Sequence, residues 1–144
     1  MTKRKYSKYV VKNPRKVVDV MHHAEGLDVE FFPHKFFIDK ELVPGAAVNV
    51  QAARILGIGP SPILVEKHKH SADEVILVMS STADDELGGE VEIAMGEEEE
   101  KYSLTQSGAV FIPGNMVHCP LVVKSVDKNK PILVVAFEIS PEYD

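Results

Sequence analysis

Residues 62–81 read Pro-Ile-Leu-Val-Glu-Lys-His-Lys-His-Ser-Ala-Asp-Glu-Val-Ile-Leu-Val-Met-Ser-Ser. Two runs with strand character, Ile63 to His70 and Glu74 to Ser80, flank three residues, enough for a tight turn. A strand puts residues i and i+2 on one face, so this reading aims the imidazoles of His68 and His70 the same way. The second run then returns the Glu74 carboxylate toward the same spot. Two nitrogens and one oxygen form the ligand set of the sites that hold divalent first-row metals and keep positions open for a substrate or for oxygen.

Working outward, a fourth donor lies 44 residues beyond Glu74. Residues 108–118, Gly-Ala-Val-Phe-Ile-Pro-Gly-Asn-Met-Val-His, run from a β segment through a Pro-Gly turn into a strand that begins at His118. His118 is the natural fourth ligand. The metal assignment is therefore His68, His70, Glu74 and His118, with no catalytic side chain assigned. One divalent transition-metal ion is expected. This donor list does not separate iron, manganese, zinc, nickel and copper, because availability and geometry choose among them.

The rest of the chain is punctuated as an all-β protein. Further strand candidates are Val29 to Asp39, Ala46 to Leu56, Glu90 to Met95, Lys101 to Leu104, Ala109 to Ile112, His118 to Val126 and Ile132 to Ser140. Val-Pro-Gly at 43–45, residues 57–62, Gly88-Gly89, residues 113–115 and residues 127–131 separate them. Nine strands suit a sandwich or a barrel. Val91, Ile93 and Met95 alternate with polar or small neighbours, as a strand with one wet face requires. The last strand is apolar from Ile132 to Phe137 and is expected to be covered on both sides, by the core or by another subunit. Pro14 to Met21 can form a short helix after the Asn13-Pro14 start signal.

At 144 residues the chain has room for one domain with a real core. Hydrophobic residues make up 44% and charged residues 26%, a globular balance that excludes disordered and fibrous classes. A single cysteine, Cys119, excludes an intramolecular disulfide. No stretch approaches the apolar length of a membrane helix, and the basic start lacks the apolar run of a secretory signal, so no membrane partner and a cytoplasmic location are expected. The net charge of −6 is uneven: Lys3, Arg4, Lys5, Lys8, Lys12, Arg15 and Lys16 lie in the first 18 residues without a single acid. The remainder is strongly acidic and repels nucleic-acid backbones, so no nucleic-acid partner is expected.

Other polar residues carry weaker readings. Glu66 shares strand parity with His68 and is a candidate acceptor behind the ligands, although a strand-mouth Glu is more often solvated. Cys119 alternates away from His118 and reads as a small buried hydrophobe. His22, His23 and His34 have no partner at ligand spacing. Glu97 to Glu100 read as a solvated hairpin turn rather than a cation site. Gln51, Arg54, Tyr102 and Phe36 lie on strands that could line a cavity.

At the two motif segments the sequence resembles the cupin superfamily. Its first motif, Gly-x5-His-x-His-x3-4-Glu-x6-Gly, falls on residues 62–81, and its second, Gly-x5-Pro-x-Gly-x2-His-x3-Asn, on residues 107–122. Pro62, Ser81 and Ser107 stand at motif glycines, Asn115 replaces the Gly after Pro113, and Val122 replaces the closing Asn. Leu87-Gly-Gly-Glu-Val-Glu-Ile also looks like the central hairpin of small bacterial cupins. The resemblance implies a single-domain cupin jelly-roll β-barrel, or double-stranded β-helix, over 29–144, with an N-terminal arm over 1–28. It implies the same four metal ligands and a small-molecule ligand or substrate. It further implies a homodimer formed through sheet packing or terminal strands, with residues 1–12 and the final strand at the interface. Two functions follow: a metal-dependent enzyme on a small oxygen-rich organic molecule, of dioxygenase, isomerase or lyase type, or a non-catalytic small-molecule binding or sensing cupin.

Overall fold

Strand-forming runs separated by Gly, Pro and Asn turns become nine strands in the computed structural model, which describes residues 4–12, 36–59 and 61–140, the side chains of Phe36 and Phe37 excepted. They are β1 (Phe36–Ile38), β2 (Asn49–Ile55), β3 (Ile63–Val65), β4 (Glu74–Ser80), β5 (Glu86–Met95), β6 (Glu100–Gln106), β7 (Gly108–Ile112), β8 (His118–Ser125) and β9 (Ile132–Glu138). The only helical element among the described residues is a 3₁₀ turn at Ser7–Tyr9. The helix expected at Pro14 to Met21, the arm's boundary at residue 28, and His22, His23 and His34 lie outside the described residues. No helix among the described residues is long and apolar enough to cross a membrane.

The strands form two antiparallel sheets, ordered β1-β2-β9-β4-β7 and β3-β8-β5-β6. Strands distant in sequence become neighbours, as in a jelly roll whose two sheets enclose one core. That core contains Ile55, Ile76, Val78, Ile112, Ile132 and Val134 from the first sheet and Leu64, Leu87, Val91, Ile93, Leu121 and Val123 from the second. Each fully buried Ile, Leu or Val stabilises the fold by about 1.5–3 kcal/mol relative to exposure.

β9 lies between β2 and β4, which explains its unbroken apolar run. Ile132 and Val134 face the core, while Leu133, Val135 and Phe137 lie half-buried on the outer face beside Val75, Leu77 and Met79 of β4. Strand β5 starts at Glu86, earlier than the expected Glu90. Gly88 and Gly89, expected as a turn, instead sit inside the strand, where its pairing with β6 shifts register between Glu86 and Val91. A Cβ on Gly89 would stand 2.2 Å from the Ser125 carbonyl oxygen, so the backbone of β5 approaches β8 as only glycine allows.

Strand β3 departs from expectation in the way that matters most. It ends at Val65 rather than continuing to His70, and residues 66–73 form a loop interrupted by one isolated bridge at His68. The two histidines therefore converge through a loop held from outside, rather than through strand alternation.

Candidate metal centre

The loop at 66–73 and the turn at 113–116 hold each other. His68 and His118 form a reciprocal antiparallel pair: the His68 amide donates to the His118 carbonyl at 3.0 Å, and the His118 amide returns the bond at 2.9 Å. The Asn115 amide donates to the His70 carbonyl at 2.8 Å, and the Gly114 amide donates to Asp73 Oδ1 at 2.8 Å. A Cβ on Gly114 would lie 2.3 Å from the Ser71 carbonyl oxygen, which explains the glycine there. Asn115 has φ 66°, the left-handed conformation. Where the cupin motif carries Gly, this chain carries the residue type that, after Gly, best tolerates that geometry, so the departure preserves the turn.

All four expected ligands meet. One donor atom from each of His68, His70, Glu74 and His118 lies within 4.8 Å of the others. Glu74 sits at the start of β4, buried, with its Oε2 2.8 Å from His70 Nε2 and 3.1 Å from His118 Nε2. His118 is fully buried and its ring contacts that of His68 edge-on, with centroids 4.4 Å apart.

The hydrogen bonds of the rings select the metal-facing nitrogen. His68 Nδ1 donates to the Glu66 carbonyl at 2.7 Å, His70 Nδ1 to the Ala72 carbonyl at 3.0 Å, and His118 Nδ1 to the Met116 carbonyl at 2.8 Å. A carbonyl only accepts, so each ring carries its proton on Nδ1 and turns Nε2 inward, as metal-bound imidazoles are held. His118 Nε2 is buried and has no hydrogen-bond partner, its approach to Glu74 being off the line that such a bond requires. A buried nitrogen left in this way is costly unless an electron-pair acceptor completes it, and a cation does so. The donor set thus fits a divalent transition-metal ion.

Protonation reports the same crowding of charge. Burial pushes the Glu74 carboxyl up, but contacts with His118 and His70 outweigh it and hold the group at about 2. His70 is raised above its ordinary value by its hydrogen bond to Glu74, against the opposing effect of burial, with the nearby Glu138 charge adding to the rise. Without a cation, a proton on His70 plays the part of the missing positive charge.

Beside the cluster, between the sheets, lies a cavity of about 50 Å³. His68 and Glu74 form part of its wall, Gln51 supplies one uncharged polar side chain, and Leu64, Ile76, Cys119, Leu121 and Val134 make much of the rest apolar. Gln51 is thus the one of the four weaker strand candidates placed at the site. Arg54 and Tyr102 are exposed, and Tyr102 lies on β6 at a surface groove. Phe36 lies on β1, its side chain outside the described residues. The Glu66 side chain is exposed, and the residue serves the site through its backbone carbonyl. Cys119 is buried as expected, but it does not alternate away from the site. Its φ of 67° breaks the pleat after His118, so consecutive residues both turn inward. Burial pushes its thiol far above the ordinary range. The turn Gly96–Glu99 is exposed at its glutamates, as expected.

One buried acid escaped the motif reading. Glu138, the last residue of β9, pairs with Glu74 across the sheet and places Oε1 3.2 Å from His70 Nε2. Its signal was a lone acid ending an apolar strand, which the sequence cannot distinguish from a solvated strand end.

No protein-family model and no curated protein matches the sequence. Solved structures match it. Peruvianin-I, a cysteine peptidase from Thevetia peruviana latex, superposes with a TM-score of 0.57 at 12% identity, over 96% of this chain and 76% of that one. A mutant oxalate decarboxylase from Bacillus subtilis superposes with a TM-score of 0.51 at 10% identity, over 76% of this chain and 26% of that one. The chain has the cupin fold. Sequence identity this low establishes the architecture of the cupin barrel and nothing of its chemistry. This chain spans about a quarter of the length of the decarboxylase chain.

Proposed function

We propose that this cupin binds one divalent transition-metal ion through His68, His70, Glu74 and His118 and is a metal-dependent enzyme acting on a small oxygen-bearing organic molecule. The observation that carries the reading is the orientation of the three imidazoles. Each is locked by its Nδ1 to a carbonyl, and the inward Nε2 atoms meet an ionised Glu74 at the wall of a largely apolar cavity. Bound there, the ion supplies Lewis acidity, which serves dioxygenase, isomerase and lyase chemistry alike.

The chain's own residues do the remaining work. The apolar wall formed by Leu64, Ile76, Leu121 and Val134 keeps bulk water from the reacting end and accepts the carbon skeleton of a small ligand. Gln51 offers an amide that both donates and accepts, enough to orient one further oxygen. Among the described residues, no charged side chain other than those of the ligand cluster lines the cavity, so the oxygens of the ligand gather at the His68 and Glu74 end. Cys119 is unsuited to nucleophilic attack, because its buried thiol resists ionisation. In the same reading two copies pair through the apolar outer face of β4 and β9.

Elemental analysis tests the metal assignment. The protein as isolated is expected to carry close to one ion per chain, and His68→Ala or Glu74→Ala to lose most of it. Equal metal in the wild type and both variants refutes the assignment. Turnover tests the chemistry: product formation abolished by His70→Ala supports an enzyme, whereas a loaded protein that returns a bound oxyanion unchanged is a binding module.

A further inference from the structure

Among the described residues eight large hydrophobic side chains stand exposed, and six of them fall on two surfaces. Tyr6, Tyr9 and Val10 lie in the basic segment 4–12, where no residue is buried. Tyr102, Phe111 and Met116 line a groove of about 510 Å³ between β6 and β7, the edge strands of the two sheets. The groove exists because the sheets do not close over β6. Tyr102 pairs with Ile93 and Leu104 with Val91, so these β6 side chains share the face of two core residues, yet Tyr102 is 49% exposed. Ile93, Met95, Leu104 and Val110 give the groove an apolar floor. Glu98 and Glu100 add carboxylates at the end nearest the β5–β6 turn.

The two surfaces are complementary. Segment 4–12 carries Arg4, Lys5, Lys8 and Lys12 and no acid. Lys5 Nζ lies 5.3 Å from the centre of the Tyr6 ring and Lys8 Nζ 5.1 Å from that of Tyr9, so each ring comes with a cation beside it. A ring and a cation presented together suit a groove that offers an apolar floor next to carboxylates. Position agrees as well: Phe111 pairs with Val75, so the rim of the groove runs on into the apolar outer face of β4 and β9.

We propose that segment 4–12 of one copy of this chain docks in the β6–β7 groove of a second copy, its rings on the apolar floor and its cations toward Glu98 and Glu100. This rests on the pairing of two copies through the face of β4 and β9 and adds to it the surface that each arm covers. A single chain leaves both surfaces exposed, and a second copy covers both at once. Two copies related by a two-fold axis exchange arms reciprocally, which closes the assembly at a dimer.

Sedimentation equilibrium of the full-length protein at micromolar concentration tests this by charge exchange. An arm variant, Arg4→Glu/Lys5→Glu/Lys8→Glu, and a groove variant, Glu98→Lys/Glu100→Lys, change exposed side chains only and are expected to melt as the wild type does. Each alone is expected to dimerise about 10-fold or more weakly, because like charges then face each other. An equimolar mixture is expected to recover wild-type affinity as a heterodimer, in which both arm–groove contacts again join opposite charges. Asp85→Lys/Glu86→Lys, a reversal at the other end of the β5–β6 pair, is expected to leave association unchanged. The docking is overturned if the mixture associates no better than its components, if the Asp85/Glu86 variant weakens the dimer as much, or if a wild-type dimer is untouched by both the arm and groove variants. A wild-type monomer overturns the pairing of two copies itself, which separates the two failures.

Discussion

The two residues of the 113–116 turn that touch the ligand loop carry the geometry of the centre as much as the ligands do. Asn115 occupies a left-handed position and bonds the His70 carbonyl through its amide. Asn115→Ala is expected to cost about 1 kcal/mol, and Asn115→Gly close to nothing, measured as shifts in the urea midpoint at constant slope. Gly114→Ala is expected to be worse and to lower metal content too, since its Cβ would collide with the Ser71 carbonyl and push the 70–73 loop away. Wild-type metal content in Gly114→Ala would show that the loop holds its shape without the turn.

Protons act at the same scale in the metal-free protein. Glu74 has its folded-state pKa depressed from 4.5 to about 2, so its contribution of about 3 kcal/mol is present above 4.5 and is lost as the pH falls toward 2. His70 is raised, so its contribution is present below about 6.5 and is lost as the pH rises through its folded-state value. Metal-stripped protein is therefore expected to melt highest between about pH 4.5 and 6.5, and added divalent ion to raise Tm most on the alkaline side of that window. A Tm that climbs steadily from pH 5 to 8 without metal contradicts this account.

Among the elements, β5 shows how a local signal is overruled. Two adjacent glycines read as a turn because the backbone is freest there, yet they lie inside a ten-residue strand. Packing decided the matter: Leu87 is fully buried on the far side of the glycines, and Gly89 lets β5 approach the Ser125 carbonyl. Gly89→Ala is expected to separate β5 from β8 and to destabilise more than an exposed strand substitution such as Thr105→Ala, as measured by thermal melting. β3 shows the converse. Its strand-like run through His70 stops at Val65, because the next pairing partner, β8, offers only His118 to His68 before the chain turns away.

At the scale of the molecule, the five-stranded sheet has two apolar faces. One covers the core, and the other carries Leu133, Val135 and Phe137 beside Val75, Leu77 and Met79. All six side chains are half-buried, and this is the face on which the proposed pairing is placed. The proposed homodimer on this face predicts a two-chain mass by light scattering at micromolar concentration, and a monomer after Val135→Lys. A wild-type monomer at that concentration counts against it.

How much was legible follows from range. The convergence of His68, His70, Glu74 and His118 was legible because the residue types and spacing that a metal site demands form a pattern of four positions that survives without any view of the fold. The nine strands were identifiable because alternation and turn residues are local properties. Tertiary structure alone decided that the ligand loop is held from outside by the 113–116 turn, that Cys119 faces inward beside His118, that β9 runs between β2 and β4, and that Glu138 comes to lie opposite Glu74. Each of these depends on pairing between strands far apart in the chain, and that pairing is set by the burial of both sheets together rather than by the preferences of any one segment.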